Sequence, residues 1–248
     1  MKKLAIASPI LGMLLATAAT AADLPIAPVF AAPPSCPAHR FQGFYAGLNV
    51  GGTAWTANRT DQDAFVSEAA TYVQKQSGFI GGGQIGYNWS RCNSLFGGEL
   101  DGDWTNASVT TRFLPNVPGV DARVTSRFPG LMTGRVRSGL VLDNLMIYLT
   151  GGIAAASFRT TYGLVTAAPP FAASTEISEW RWGWVTGLGT EWAWSERISI
   201  TSEVLYVDVR DREHQRLIVP TTGAAPFLSN FTHGDSMWIS KWGVNFKL

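Results

Sequence analysis

The sequence is short of charge, and after its first residues it has no long hydrophobic run. Charged residues make up 15% of the 248 positions, against about 25% in an average domain. Basic and acidic residues nearly cancel, at 19 and 18, and no basic cluster suggests nucleic acid as a partner. Beyond the N-terminal segment, no stretch reaches the ~18 apolar residues of a transmembrane helix. These absences exclude an α-helical membrane protein.

The N-terminal segment has the pattern of a secretory signal peptide. Lys2 and Lys3 precede an apolar run that ends in the small residues Ala19-Thr20-Ala21, as expected around a signal cleavage site. Several prolines follow before the first predicted strand, which is typical of an extended linker. We predict a signal peptide at residues 1–21, a proline-rich periplasmic leader at 22–40 and one barrel domain at 41–248.

Ten tryptophans and 26 glycines accompany this low charge. From Gly43 onward, large apolar residues alternate with polar or small ones, with the period of two that places side chains on opposite faces of a β-sheet. The alternation defines eight segments. The predicted strands are 43–54, 77–90, 94–105, 128–142, 145–159, 180–194, 197–209 and 236–248.

The polar face of these strands decides between a soluble and a membrane-embedded sheet. In the last strand, Trp242 and Phe246 share one face, whereas Lys241 and Asn245 lie on the other. A soluble barrel fills its interior with apolar side chains, and a barrel in lipid turns them outward. A β-sandwich would place the tryptophans in a core and leaves the polar faces unexplained. The sequence therefore predicts an all-β fold, an eight-stranded antiparallel up-and-down transmembrane β-barrel.

The connections between the predicted strands alternate between short turns and long loops. In outer-membrane barrels the short turns are periplasmic and the long loops extracellular. Residues 161–178 and 211–235 are predicted to lie in two of the long loops. Six tryptophans are predicted to form aromatic girdles at the two membrane boundaries: Trp89, Trp104, Trp184, Trp192, Trp194 and Trp242.

The two cysteines are predicted to form a disulfide. Disulfides persist in exported proteins, and an even number of cysteines favours pairing. Cys36 precedes the first strand, and Cys92 lies in the short turn after the second. Antiparallel neighbours place these two strand ends side by side, so a Cys36–Cys92 bond would attach the leader to the barrel.

Charged and polar side chains on the inward faces are predicted to form a network within the lumen. Glu99, Asp101 and Asp103 are also candidates for a metal site or a catalytic carboxylate set. An eight-stranded barrel is barely wide enough for its own side chains, however, and buried charges require partners, so a salt-bridge network is favoured. The predicted members are Gln84, Glu99, Asp101, Asp103, Arg135, Arg137, Glu191, Glu203 and Lys241.

The remaining motifs give little support for catalysis or for a cofactor. His39 lies in the leader, while His214 and His233 fall in the last predicted loop, where solvated histidines are the ordinary case. None is placed beside a serine on a strand, as an outer-membrane hydrolase would require. The run Gly81-Gly-Gly-Gln-Ile-Gly86 matches a dinucleotide fingerprint but continues as a strand instead of opening a helix. We expect no enzyme activity, no metal and no cofactor.

The chain resembles the small alphaproteobacterial outer-membrane barrels of the RopB and outer-membrane immunogenic protein type, which are related in architecture to the OmpA transmembrane domain. The matching stretches span nearly the whole mature chain: Asp23-Leu24-Pro25, Gly43 to Val50, Gly81 to Trp89, Gly151-Gly152, Gly183-Trp184, Gly187 to Glu191 and Glu203 to Asp208.

This resemblance implies a structural protein of the bacterial outer membrane that supports envelope integrity and presents surface loops. A small porin is the alternative, and haem or ligand binding at the surface is a second one because some relatives have been associated with haem. The implied partners are outer-membrane lipids and lipopolysaccharide, the outer-membrane assembly machinery and a host or surface ligand, with a monomer as the expected state. The end of the chain is similar to the assembly signal at Lys241, Gly243, Phe246 and Leu248, although the family usually ends in Phe.

Overall fold

A computed structural model of the protein describes residues 40–63, 71–113, 118–167 and 169–248. The predicted signal peptide and the leader up to residue 39 lie outside the described residues. Within the described part, no helix is long and apolar enough to cross a membrane. The strands are β1 (Gly43–Asp61), β2 (Thr71–Arg91), β3 (Ser94–Phe113), β4 (Val120–Leu142), β5 (Leu145–Ala167), β6 (Pro170–Ala193), β7 (Ile198–Ile218) and β8 (Phe227–Lys247).

The eight strands form one closed antiparallel barrel in which each strand pairs with its neighbours in sequence. β8 pairs with β1 and closes the sheet, with Val244 opposite Leu48. Closure leaves every strand with two partners, so backbone hydrogen bonds are satisfied even in lipid. The predicted fold is confirmed. We call the end with the short β2–β3, β4–β5 and β6–β7 connections the base, and the opposite end the top.

The outer wall carries a broad apolar band. Leu48, Leu100 and Leu149 are each exposed by 61% or more. Every tryptophan except Trp55 also lies on this wall and is exposed. A water-soluble domain rarely exposes so continuous an apolar surface, and a lipid-facing barrel requires one.

Aromatic residues border this band at both ends. Near the base, the Phe44, Tyr87, Trp89 and Phe96 rings form a chain with neighbouring centroids 4.5, 4.6 and 6.3 Å apart. Toward the top, the Tyr206 ring contacts two tryptophans, with its centroid 5.4 Å from that of Trp184 and 4.9 Å from that of Trp238. We call these the lower and upper girdles. Amphipathic rings favour the headgroup level on each side of a bilayer.

The strands continue well beyond the upper girdle, and here the predicted boundaries were wrong. Residues 161–178 and 211–235, predicted as loops, belong largely to β5, β6, β7 and β8. The reason is that the polarity of the two sheet faces reverses above the upper girdle. In β1 the outward residues become Thr56 and Asn58, whereas Trp55 and Ala57 point inward and are buried. A strand that leaves the membrane meets water, so the outward apolar pattern that marks its lower half is lost.

Three irregularities in strand pairing fall where the predicted strands stopped. The register shifts between Trp104 and Ala107, between Arg127 and Gly130, and between Val209 and Arg212. The second shift contains Pro129, which has no N–H to donate to a ladder. Bulges interrupt the alternation of side chains, so a period-two pattern read from sequence ends at each of them.

Two of the base turns are tight. Cys92 and Asp143 adopt positive φ angles of 54° and 53°, a conformation common in two-residue hairpin turns. Cys92 therefore lies in the turn where the sequence predicted it. Cys36 is outside the described residues, and the Cys36–Cys92 bond stays a prediction.

Candidate functional site

The lower half of the barrel interior contains a buried network of charged side chains, which we call the lower network. Arg135 lies between two carboxylates: it contacts Glu99, and its Nη1 is 3.2 Å from Glu203 Oε2. Arg137 Nη1 lies 3.4 Å from Glu99 Oε2 and 3.3 Å from Glu191 Oε2. Both guanidinium groups are buried. Each arginine joins two carboxylates from different strands, so the network connects the wall across the lumen.

A second part of the lower network is centred on Lys241. Its ammonium group contacts Asp101 and lies 3.3 Å from Asp103 Oδ2. Gln84 is linked to Asp101 through Asn49, which donates to both, and it donates a 2.7 Å hydrogen bond to Asn245 Oδ1. The structure thus places all nine predicted network residues inside the barrel, where each is at most 7% exposed.

Two tyrosines complete the lower network, and they were not among the predicted members. Tyr45 donates a 2.6 Å hydrogen bond to Glu99 Oε2, and Tyr148 donates a 2.7 Å bond to Glu203 Oε1. The Arg137 guanidinium lies between the two rings, 4.6 Å and 5.2 Å from their centroids. The period-two alternation of β1 and β5 places both tyrosines on inward faces, and their phenol hydroxyls are donors that suit buried carboxylates.

Above the lower network the interior is apolar, which the sequence analysis did not anticipate. Trp55, Phe128 and Phe158 form an aromatic triangle with centroid distances of 5.4 to 6.0 Å. We call the apolar layer around it the septum. Its other buried members include Ile80, Leu131, Val185, Leu205, Val207, Met237 and Ile239. The prediction that inward faces are polar therefore holds at the level of the lower network. It is wrong at the septum and at the base, where Phe41, Leu95, Val141 and Met146 form a buried apolar cluster.

A second ionic cluster, the upper network, lies above the septum. Asp235 is its anionic centre: Arg59 Nη2 lies 2.9 Å from its Oδ1, and Arg181 contacts its other oxygen. Trp55 Nε1 donates a 2.8 Å hydrogen bond to the same carboxylate. The Arg181 guanidinium also lies 4.3 Å from the centroid of Phe158. The upper network is thus attached directly to the septum below it.

The two histidines of the predicted loop are structured and belong to the upper network. His214 lies on β7 and its Nε2 is 2.8 Å from Glu179 Oε1. His233 lies on β8, is 1% exposed, and its Nε2 is 2.7 Å from the Tyr162 hydroxyl. The expectation of two solvated loop histidines was therefore wrong, because both strands continue past the membrane and bring the side chains inward.

Glu179, His214 and His233 offer three ligand atoms that lie within 4.8 Å of one another, a donor set that zinc accepts. The surroundings oppose a cation. Glu179 Oε1 is 3.3 Å from Arg181 Nε, and its Oε2 is 3.6 Å from Arg212 Nη1. The carboxylate that would neutralise a metal already neutralises arginines, so the cluster fits a hydrogen-bonded network better than a metal centre.

The predicted assembly-signal residues occupy alternating positions at the end of β8. Lys241 and Gly243 point inward and Phe246 faces outward. Leu248 is 84% exposed, and its N–H donates a 2.9 Å hydrogen bond to the Phe44 carbonyl at the closing seam. The signal role of these residues stays a prediction.

The model of the outer membrane protein beta-barrel domain matches residues 10–247. The chain belongs to this outer-membrane β-barrel family. Two relatives in this family are the 31 kDa outer-membrane immunogenic proteins of Brucella melitensis and Brucella suis. Each is 29% identical to the chain over 219 residues, covering 86% of the chain and 89% of the relative. Membership places the barrel in the bacterial outer membrane, with its base at the periplasmic side and its top outside the cell.

Solved outer-membrane barrels share the fold. OprG of Pseudomonas aeruginosa superposes with a TM-score of 0.53 at 14% identity, covering 84% of this chain and 97% of that one. The outer-membrane protease OmpT of Escherichia coli superposes with a TM-score of 0.51 at 8% identity, covering 86% of this chain and 99% of that one. At sequence identities this low, the similarity shows a shared architecture alone. The names of the Brucella relatives describe immunogenic membrane proteins and no enzyme.

Proposed function

We propose that the protein is a sealed structural barrel that contributes to envelope integrity and holds its extracellular strand extensions rigidly at the cell surface. The observation that carries this proposal is the layering of the interior. The septum separates two buried ionic networks, and its aromatic triangle is fully buried in the barrel interior. A continuous water path would have to cross this apolar layer, where ions lose their hydration without compensation.

A small porin is the competing function, and conductance distinguishes the two. We expect no stable single-channel steps when the refolded protein is inserted into planar bilayers. A porin of known conductance serves as the positive control for the apparatus. Reproducible steps that appear only when the barrel is inserted would contradict the sealed interior and support passive diffusion of small solutes.

The top of the barrel supports a role in surface interaction. The β7–β8 tip exposes three large apolar residues, Leu217, Val219 and Leu228, each by 56% or more. Leu217 and Leu228 are directly paired across the two strands. Exposed apolar pairs raised above the membrane by a rigid sheet are suited to contact with another macromolecule.

Replacing both leucines with serine is expected to abolish surface-ligand capture by whole cells while leaving barrel assembly intact. Unchanged capture would remove the tip from the proposal.

A further inference from the structure

Four arginines on β3, β4 and β5 point outward above the membrane band. Arg112 lies directly opposite Arg123 in the β3–β4 register, and Arg127 lies directly opposite Arg159 in the β4–β5 register. All four are exposed. Like charges that face each other across a strand pair repel and weaken the sheet. Two such pairs on neighbouring strands indicate that something other than sheet stability maintains the cluster, which we call the arginine wall.

The arginine wall is only partly neutralised by its own side chains. Asp121 lies 3.4 Å from Arg123, and Glu176 lies 3.4 Å from Arg159. Both pairs are about half-exposed. Among the described residues, neither Arg112 nor Arg127 forms an ion pair. One arginine of each facing pair is therefore available to an external anion.

The surface between these strands is concave, and its lining mixes basic and hydroxyl side chains with apolar ones such as Val165 and Ala172. A depression of about 900 Å³ is lined by Arg112, Arg123 and Arg127 together with four threonines, Thr110, Thr125, Thr161 and Thr221. The hydroxyls of Thr110 and Thr125 lie 2.9 Å apart and form a hydrogen bond. Guanidinium groups bind phosphate through two parallel N–H donors, and hydroxyls supply further donors. The chemistry suits an anion with several oxygens.

The height of the arginine wall indicates where that anion resides. Trp180 is exposed on the outer wall and pairs with Ser157, which itself pairs with Gly130. The pair of Arg127 and Arg159 follows above Gly130 and Ser157, across the register shift between Arg127 and Gly130. Arg127 and Arg159 thus lie just above an outward tryptophan, at the level where headgroup phosphates follow the aromatic girdle. Arg123 and its partner Arg112 lie farther from the membrane, four residues along β4 from Arg127.

We propose that the arginine wall binds the phosphate groups of a phosphorylated glycolipid in the outer leaflet. The side chains face the membrane surroundings, not the lumen, so a ligand held in the leaflet reaches them laterally. A glycolipid with more than one phosphate can contact both arginine pairs at once, and this offsets the repulsion within each pair. The proposal concerns the outer wall and is independent of whether the lumen conducts.

The test compares two double variants that remove the same charge. Arg112→Gln with Arg127→Gln eliminates the two arginines without ion pairs and leaves the Asp121 and Glu176 pairs intact. Arg91→Gln with Arg210→Gln is the matched control, since both are exposed residues on other parts of the wall. The refolded proteins are titrated in detergent with bisphosphorylated lipid A. We expect affinity to fall about tenfold or more in the first variant, since each basic residue near an anionic surface contributes about 1 kcal/mol, and to change little in the control.

Further arms separate the sources of the phosphate. Dephosphorylated lipid A is expected to bind poorly, and added salt is expected to weaken binding of the phosphorylated form. Equal binding of the dephosphorylated lipid, or equal losses in the two double variants, would overturn the proposal. So would competition by inorganic phosphate at the same concentration as lipid A, or tighter binding of a sulfated oligosaccharide. Heat-modifiable gel mobility verifies folding, and the single Arg112→Gln variant replaces the double one if the latter does not fold.

Discussion

Arg135 shows how the interior of a membrane barrel depends on individual ion pairs. Its guanidinium lies between Glu99 and Glu203 on strands that do not pair with each other, and all three groups are buried. Taking charges out of water is unfavourable, and the pairing offsets this only while both signs are present. Loss of the arginine would remove the ion pair of Glu203 and leave Glu99 with Arg137 alone.

We therefore predict that Arg135→Met lowers the free energy of unfolding by about 3–5 kcal/mol, the usual cost of leaving a buried charge without its partner. Methionine retains most of the side-chain volume, so a cavity does not explain the loss. Urea unfolding of the protein in lipid vesicles measures the effect. Arg197→Met, at an exposed base position, is the control. Equal stability of the two variants would show that the lower network does not hold the barrel together.

His233 makes a pH-dependent contribution above the membrane. Burial lowers its pKa well below the usual value, and Arg59, Arg181, His214 and Arg216 lower it further. The histidine is neutral in the folded state. Below about pH 6.5 the unfolded chain gains a proton that the folded protein does not, so stability falls as the pH is lowered.

The corresponding prediction concerns the slope of stability with pH. Between about pH 7 and 5, the free energy of unfolding should fall by up to ~1.4 kcal/mol per pH unit from this residue. His233→Gln loses the bond to Tyr162 and is less stable at pH 7, but its slope should be shallower by that amount. Unfolding curves of both proteins across this range provide the measurement. Parallel slopes would mean that His233 does not titrate differently in the two states.

At the scale of strands, glycines on inward faces make space for the tyrosines of the lower network. Gly189 on β6 is paired with Tyr148 on β5. A Cβ at Gly189 would lie 2.5 to 2.9 Å from atoms of the Tyr148 ring and hydroxyl. Gly98, which faces outward on β3, has nothing within 4 Å of its Cβ position. The same residue type thus has two different roles on the two faces.

Gly189→Ala is accordingly expected to displace Tyr148 from Glu203 and to destabilise the barrel by about 1–3 kcal/mol, the usual effect of overpacking. Gly98→Ala should be neutral or slightly stabilising, since alanine restricts the unfolded chain more than glycine does. Thermal unfolding in detergent and the near-ultraviolet tyrosine signal report the two effects. A loss at Gly98 as large as at Gly189 would refute the packing explanation.

The strands also show how far an alternating pattern can be followed in sequence. The lower half of each strand was predicted closely because lipid on one side and ionic partners on the other impose a strict period of two. β3, β4 and β7 were predicted only up to their bulges, and β1 only up to the level where the outer face turns polar at Thr56. Pairing across the sheet maintains these strands where the pattern itself has changed.

At the scale of the whole molecule, the interior is a stack of layers. An apolar cluster around Leu95 and Met146 lies at the base. The lower network, the septum and the upper network follow it toward the top, where a further apolar cluster surrounds Tyr162 and Phe231. Charged layers fix the relative positions of distant strands, while the apolar layer excludes water.

A monomer is the expected state, because every strand is paired on both sides and no sheet edge is left for a second copy. Sedimentation equilibrium in a density-matched detergent should give the mass of one chain at all protein concentrations. A mass that rises with concentration would reveal an association through the outer wall. Repeating the measurement with added lipid A tests whether the arginine wall recruits lipid without recruiting a second barrel.

The sequence by itself determined the closed barrel, its number of strands and the inward position of the nine charged and polar residues of the lower network, because a period of two is a local property of the chain. Only the tertiary structure decided which charges meet, that Trp55, Phe128 and Phe158 form a septum, and that Arg112 faces Arg123 while Arg127 faces Arg159. These contacts depend on the register between strands that are distant in sequence, and register is set by the closure of the whole sheet.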